Sequence, residues 1–129
     1  MTPELRKALR GIAKTTASAE FPDLTEFELG INLLSDDELL AINVASLGHD
    51  YYTDILTFEL ERGVTSIEAE VYISVDRASD NAKRARVEYE EELRHLVVHG
   101  ILHLAGYDDH DPIEKKRMRA RERFHLLPA

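Results

Sequence analysis

The sequence predicts an α+β fold, a small mixed β-sheet with helices packed on it. Two periodicities carry this expectation. Phe27, Leu29, Ile31 and Leu33 alternate with polar or small residues, as do Val71, Ile73 and Val75, which is the mark of half-buried strands. Leu5, Leu9, Ile12 and Ala13 recur instead at helical spacing, as do Leu96, Val97, Ile101 and Leu104. Neither pattern dominates, so the chain is neither all-helical nor all-strand.

Taken in order, Pro3 to about Ser18 reads as an amphipathic helix with proline at its start. Phe21-Pro22-Asp23 breaks it, and the first strand follows through Leu33. Ser35-Asp36-Asp37-Glu38 has the form of a capping box, which opens a second helix that fades near Gly48. A loop then leads into a strand from Asp54 to Leu60, and the polar stretch from Glu61 to Ser66, with Gly63, reads as a hairpin connection. The third strand carries Val71, Ile73 and Val75. Asp76 to about Arg86 reads as a helix, and a second, more apolar helix runs from about Tyr89 to Ala105. Asp111-Pro112-Ile113-Glu114 combines an N-cap, proline at the first helical position and an early acid, so a last helix starts there.

A chain of 129 residues suits one domain spanning 1–129, and no linker or repeat divides it. No apolar run has membrane-spanning length, and the mixed-charge start does not read as a signal peptide. With no cysteine, any metal must be held by histidine and carboxylate, which is compatible with a cytoplasmic protein. The net charge of −9 argues mildly against a nucleic-acid partner. Two basic clusters offset it, Lys83, Arg84 and Arg86, and the run Lys115, Lys116, Arg117, Arg119, Arg121 and Arg123. These also read as solvated helix faces interleaved with glutamate.

Chemistry concentrates in His99 to His110. His99 and His103 stand four apart on the apolar helix, so both imidazoles project from one face. That spacing lets two ring nitrogens meet one divalent ion at about 2.0–2.1 Å. Gly106 gives the helix a stop, and Tyr107, Asp108, Asp109 and His110 follow in the turn. A third donor from this turn leaves one side of an ion open, as a catalytic site requires. The HExxH metalloprotease helix places its general base after the first histidine. Gly100 stands there and cannot move a proton.

The run His99-Gly100-Ile101-Leu102-His103-Leu104-Ala105-Gly106-Tyr107-Asp108 resembles the signature of the YbeY family of zinc-dependent endoribonucleases. Leu39 to Asn43, Tyr52 to Phe58 and Val71 to Ser74 resemble further blocks of that family in the family's order. The resemblance implies a zincin-like arrangement of sheet and metal helix, with at least one further short strand. It also implies one zinc ion per chain, single-stranded RNA as substrate, a role in ribosomal RNA maturation, and contact with the small ribosomal subunit and its assembly factors. In such a mechanism the ion activates water or polarises a phosphoryl oxygen.

The family's third ligand is a histidine six residues after the second; Asp109 holds that position and His110 follows it. Register favours His99, His103 and Asp109 as the ligands, with His110 as the competitor. The family also carries an arginine before its second block, where this chain has Leu47-Gly48-His49. His49 is a candidate to face the site from its loop, and Glu70 or Asp54 to line the cleft. His95 shares the helix stripe of His99, which suits a supporting role or a satisfied histidine; His125 reads as a surface residue. No residue identifies itself as a general base. Two rival readings stay open: another metal hydrolase on the same scaffold, and a ribosome assembly factor with a non-catalytic metal.

Overall fold

The computed structural model describes residues 1–127. The elements run α1 (Pro3–Glu20), β1 (Glu26–Leu34), α2 (Asp36–Leu47), β2 (Ile55–Arg62), β3 (Ser66–Ser74), α3 (Val75–Ala85), α4 (Tyr89–Leu104) and α5 (Pro112–Leu126). The order matches the sequence reading, and local chemistry explains the boundaries. Ser35 accepts from the Glu38 amide while the Glu38 side chain accepts from the Ser35 amide, so the capping box is formed. Asp111 accepts from the Glu114 amide at 2.8 Å and sets the start of α5 at Pro112.

Val75 departs from the expectation. It is the first residue of α3 and not the end of a strand, because the Ser74 hydroxyl accepts from the Arg77 amide and starts the helix one residue earlier. The further short strand is also missing among the described residues, where the sheet has three strands in the order β1-β3-β2. β1 pairs parallel with β3, and β2 pairs antiparallel with it, with a register shift between Glu59 and Glu61. The central strand is accordingly the most buried, with Ile67, Ala69, Val71 and Ile73 all in the core.

The core gathers around α4. Leu93, Leu96, Val97, Val98, Ile101 and Leu102 pack with Leu9, Ile12, Ala13 and Ala17 of α1, Ala78 of α3, Ile73 of β3 and Met118 of α5. Gly100 lets α4 sit close on the sheet. A Cβ there would lie 3.0 Å from Thr57 Oγ1, 3.1 Å from Val71 Cγ1 and 3.2 Å from Ile55 Cδ1. The position that carries the base in HExxH helices therefore faces the sheet in this chain. Restoring that pattern by Gly100→Glu should destabilise the protein by on the order of 4 kcal/mol, through overpacking and a buried, unpaired carboxylate. Urea unfolding measures this, and a variant as stable as the parent would contradict the packing described.

Candidate metal centre

The end of α4 delivers its histidines and then turns sharply. Tyr107 N–H donates to Leu102 O at 3.0 Å and Gly106 N–H to His103 O at 3.1 Å, the paired bonds of a Schellman turn. Gly106 has φ 97°, in the left-handed region where a side chain is strained. Arg62 of β2 caps a further carbonyl, donating from Nη2 to Leu104 O at 2.8 Å. The turn brings Asp109 back over the histidines.

His99, His103 and Asp109 each place a donor atom within 4.8 Å of the other two. His99 Nε2 lies 3.1 Å from His103 Nε2 and 3.8 Å from Asp109 Oδ2. Two ligands about 2.0–2.1 Å from one tetrahedral ion stand roughly 3.3 Å apart, so this donor set fits zinc in kind and spacing. Burial, with the neighbouring His99, holds His103 below the ordinary histidine value against the pull of Asp109. A neutral imidazole is the form that binds metal. His110 goes elsewhere: its Nδ1 sits 2.7 Å from Asp108 Oδ2, and its side chain is 86% exposed.

A second group, His95, His99 and Glu122, also brings donors within 4.8 Å of one another. Its shortest distance is that of a hydrogen bond. His99 Nδ1 lies 2.6 Å from Glu122 Oε2, shorter than the spacing of about 3.3 Å between ligands of one ion. His95 has Glu92 Oε1 at 2.9 Å from Nδ1 and Glu122 Oε1 at 3.1 Å from Nε2, so both nitrogens are engaged. Hydrogen bonds to Glu122 and Glu92 push His95 up to about 10, which makes it a cation at neutral pH. Burial works to raise Glu122, but the hydrogen bonds with His95 and His99 outweigh it and hold this carboxyl at about 2. The second group forms a hydrogen-bond chain that shares His99 with the first.

Glu122 escapes the sequence reading, since it stands in a charged run that looks solvent-facing. The available signal is spacing: Met118, Glu122 and His125 fall at helical intervals and are all buried. His125 is thus a correction to the surface reading. Its Nε2 lies 2.6 Å from Glu20 Oε2, which also accepts from Arg121 Nε at 2.6 Å, tying α5 to the end of α1.

Among the described residues, none of the other loop and strand candidates joins either donor group. His49 Nδ1 is engaged by the Tyr51 hydroxyl at 3.1 Å in the connection after α2. Asp54 accepts from Asn81 Nδ2 at 3.1 Å, joining the start of β2 to α3. Glu70 accepts from the Tyr72 hydroxyl and lies against Gly30. Val71 touches α4, so Glu70 and Tyr72 point to the opposite sheet face. On the α5 side, Lys115 and Arg119 line a cleft of about 170 Å³ with His95, His99, Asp109, Met118 and Glu122.

The family model described as Endoribonuclease YbeY matches residues 1–128. The chain belongs to the YbeY family. Endoribonuclease YbeY of Cytophaga hutchinsonii is 44% identical over 95 residues, covering 74% of this chain and 66% of the relative. Endoribonuclease YbeY of Amoebophilus asiaticus is 40% identical over 72% of this chain and 63% of its own length. The chain thus spans just under two thirds of these two relatives. Endoribonuclease YbeY of Parabacteroides distasonis is 38% identical over 117 residues, 91% of this chain and 80% of that one. A solved Thermotoga maritima structure shares the YbeY-like α+β fold, with TM-score 0.64 and 30% identity, covering 95% of this chain and 79% of that one. No helix among the described residues is long and apolar enough to cross a membrane.

Proposed function

We propose that residues 1–129 act as one domain, a metal-dependent endoribonuclease that cleaves single-stranded RNA in ribosomal RNA maturation. The reading also places it in the cytoplasm, in contact with the small ribosomal subunit and its assembly factors. His99, His103 and Asp109 would hold one zinc ion. The supporting observation is that two of these donors, His99 and Asp109, line one cleft together with Lys115 and Arg119. Two histidines and a carboxylate give three protein donors, and Asp109 is 41% exposed, so the arrangement leaves the open side of a catalytic site. When bound, the cation supplies Lewis-acid chemistry at a phosphoryl oxygen and a more acidic water.

The chain's own groups do the rest. Lys115 and Arg119 would position the RNA backbone through its phosphates without reading bases. Their placement on α5, beside the donors, brings basic charge to the site despite the chain's net charge of −9. Leu102, Ile101 and Val98, fully buried on the same helix, hold it in the core. A peptidase reading finds less support, since Gly100 faces the sheet and supplies no base.

Purified protein, stripped by chelator and reloaded with zinc, should cleave single-stranded RNA and leave peptides intact. Lys115→Ala with Arg119→Ala should weaken RNA binding and lower the salt slope by about 1.4, since each phosphate contact on a single strand contributes roughly 0.7. Binding measured across a salt series checks this. An unchanged slope would remove these residues from the RNA path, and zinc-independent or absent cleavage would overturn the activity.

A further inference from the structure

We propose that Glu122 is a positioning residue for this centre: its carboxylate fixes His99 in the Nδ1–H tautomer and so turns the Nε2 lone pair toward His103 and Asp109. The proposal rests on the donor set named above. It assigns to the last helix a part in shaping the centre, where the sequence shows only a charged surface run.

The geometry has three parts. His99 Nδ1 lies 2.6 Å from Glu122 Oε2, and an ionised carboxylate only accepts, so the nitrogen facing it carries the proton. In a neutral ring the other nitrogen is then bare. His99 Nε2 is also the nitrogen that faces His103 Nε2 at 3.1 Å and Asp109 Oδ2 at 3.8 Å. Histidine free in water prefers the opposite tautomer, so the acceptor at Nδ1 has a specific effect.

The second part is that Glu122 cannot swing away. Its other oxygen, Oε1, meets His95 Nε2 at 3.1 Å, and His95 is held from behind by Glu92 Oε1 at 2.9 Å from Nδ1. His95 and His99 are one helical turn apart on α4, and a single carboxylate from α5 spans both. The third part is the registration of α5. Asp111 and Pro112 fix its start, and His125 and Arg121 fix its far end on Glu20. Between these anchors the buried stripe Met118, Glu122, His125 has one orientation. The His99 contact acts on the donor itself, in the manner of the carboxylate–histidine–zinc triad.

The test uses the full chain, free of metal, with 15N-labelled histidine, followed by zinc titration against a chromophoric chelator. At pH 8, His99 of the parent should show a protonated Nδ1 and an unprotonated Nε2. Glu122→Ala should shift His99 toward the Nε2–H form and weaken zinc binding by about 10–100-fold. Glu122→Gln has one accepting oxygen to divide between His95 and His99, so it should fall between the parent and Glu122→Ala in both tautomer and affinity. A purely structural role would not move the tautomer. If Glu122→Ala does not fold by circular dichroism, Glu122→Asp takes its place, since the shorter side chain withdraws from Nδ1. An Nε2–H His99 in the parent, or parent-like zinc affinity in a folded Glu122→Ala, would overturn the proposal. His103→Ala separates the two readings. If it loses zinc while Glu122→Ala does not, the donor set stands and the positioning role falls; if it keeps zinc, both fall.

Discussion

His103→Ala should reduce zinc affinity by 100- to 1,000-fold, and His99→Ala by at least as much. Apparent binding of about 10–16 kcal/mol for four-ligand zinc sites leaves roughly 3 kcal/mol for each donor, which is a factor of more than 100 in Kd. The two variants differ in what else they disturb. His99 also carries the 2.6 Å bond to Glu122, so its loss leaves a buried carboxylate short of one partner and lowers stability as well. Among the described residues His103 is hydrogen-bonded to no side chain but that of His99, which makes it the cleaner probe. Zinc titration with circular dichroism as the control for folding measures both. Full zinc occupancy in folded His99→Ala and His103→Ala proteins would remove the assignment.

Much of this architecture could be read because local chemistry decides it. The capping box at Ser35 and the Asp111-Pro112 start each satisfy orphan amides with neighbours in the chain, so a few residues fix the outcome. The His99–His103 spacing and the Gly106 stop are local in the same sense, and the structure brings both rings onto one face. Val75 reads as strand because a β-branched residue after Val71 and Ile73 continues the alternation, while the Ser74 hydroxyl ends it. That competition is between two local rules, and the cap prevails.

What could not be read is non-local. Glu122 and His125 lie in a run dense with arginine, and burial of such residues depends on partners far away in sequence, Glu20 for one and His95 with His99 for the other. The buried stripe of α5 has the spacing of a core face but the composition of a surface. Likewise Glu70 and Asp54 look equivalent to cleft acids in sequence. Only the parity of β3 against α4, and the Asn81 contact of Asp54, place them elsewhere. The tilt of Gly100 toward the sheet was hidden too, although its lack of a side chain already excluded a base there.

Asp109→Ala should weaken zinc binding and RNA cleavage by at least tenfold, while His110→Ala should change either by less than about twofold. Both residues follow the Gly106 stop by only a few positions, and neighbouring turn residues point in different directions. The Asp109 carboxylate reaches 3.8 Å from His99 Nε2, whereas His110 is 86% exposed and turned to Asp108 Oδ2 at 2.7 Å. Asp109 is itself 41% exposed, so its removal should alter folding stability by no more than about 0.5 kcal/mol. An effect on zinc can therefore be assigned to the lost donor. Asp109→His supplies the sharper test. It replaces an anionic donor with a neutral one and should retain zinc, and the less neutralised cation should move the rise of the pH–rate profile to lower pH. Zinc titration and pH–rate curves on the three variants measure these effects. A coordination shell containing a His110 nitrogen, with the Asp109 carboxylate in solvent, would instead make this a three-histidine centre entered one residue late.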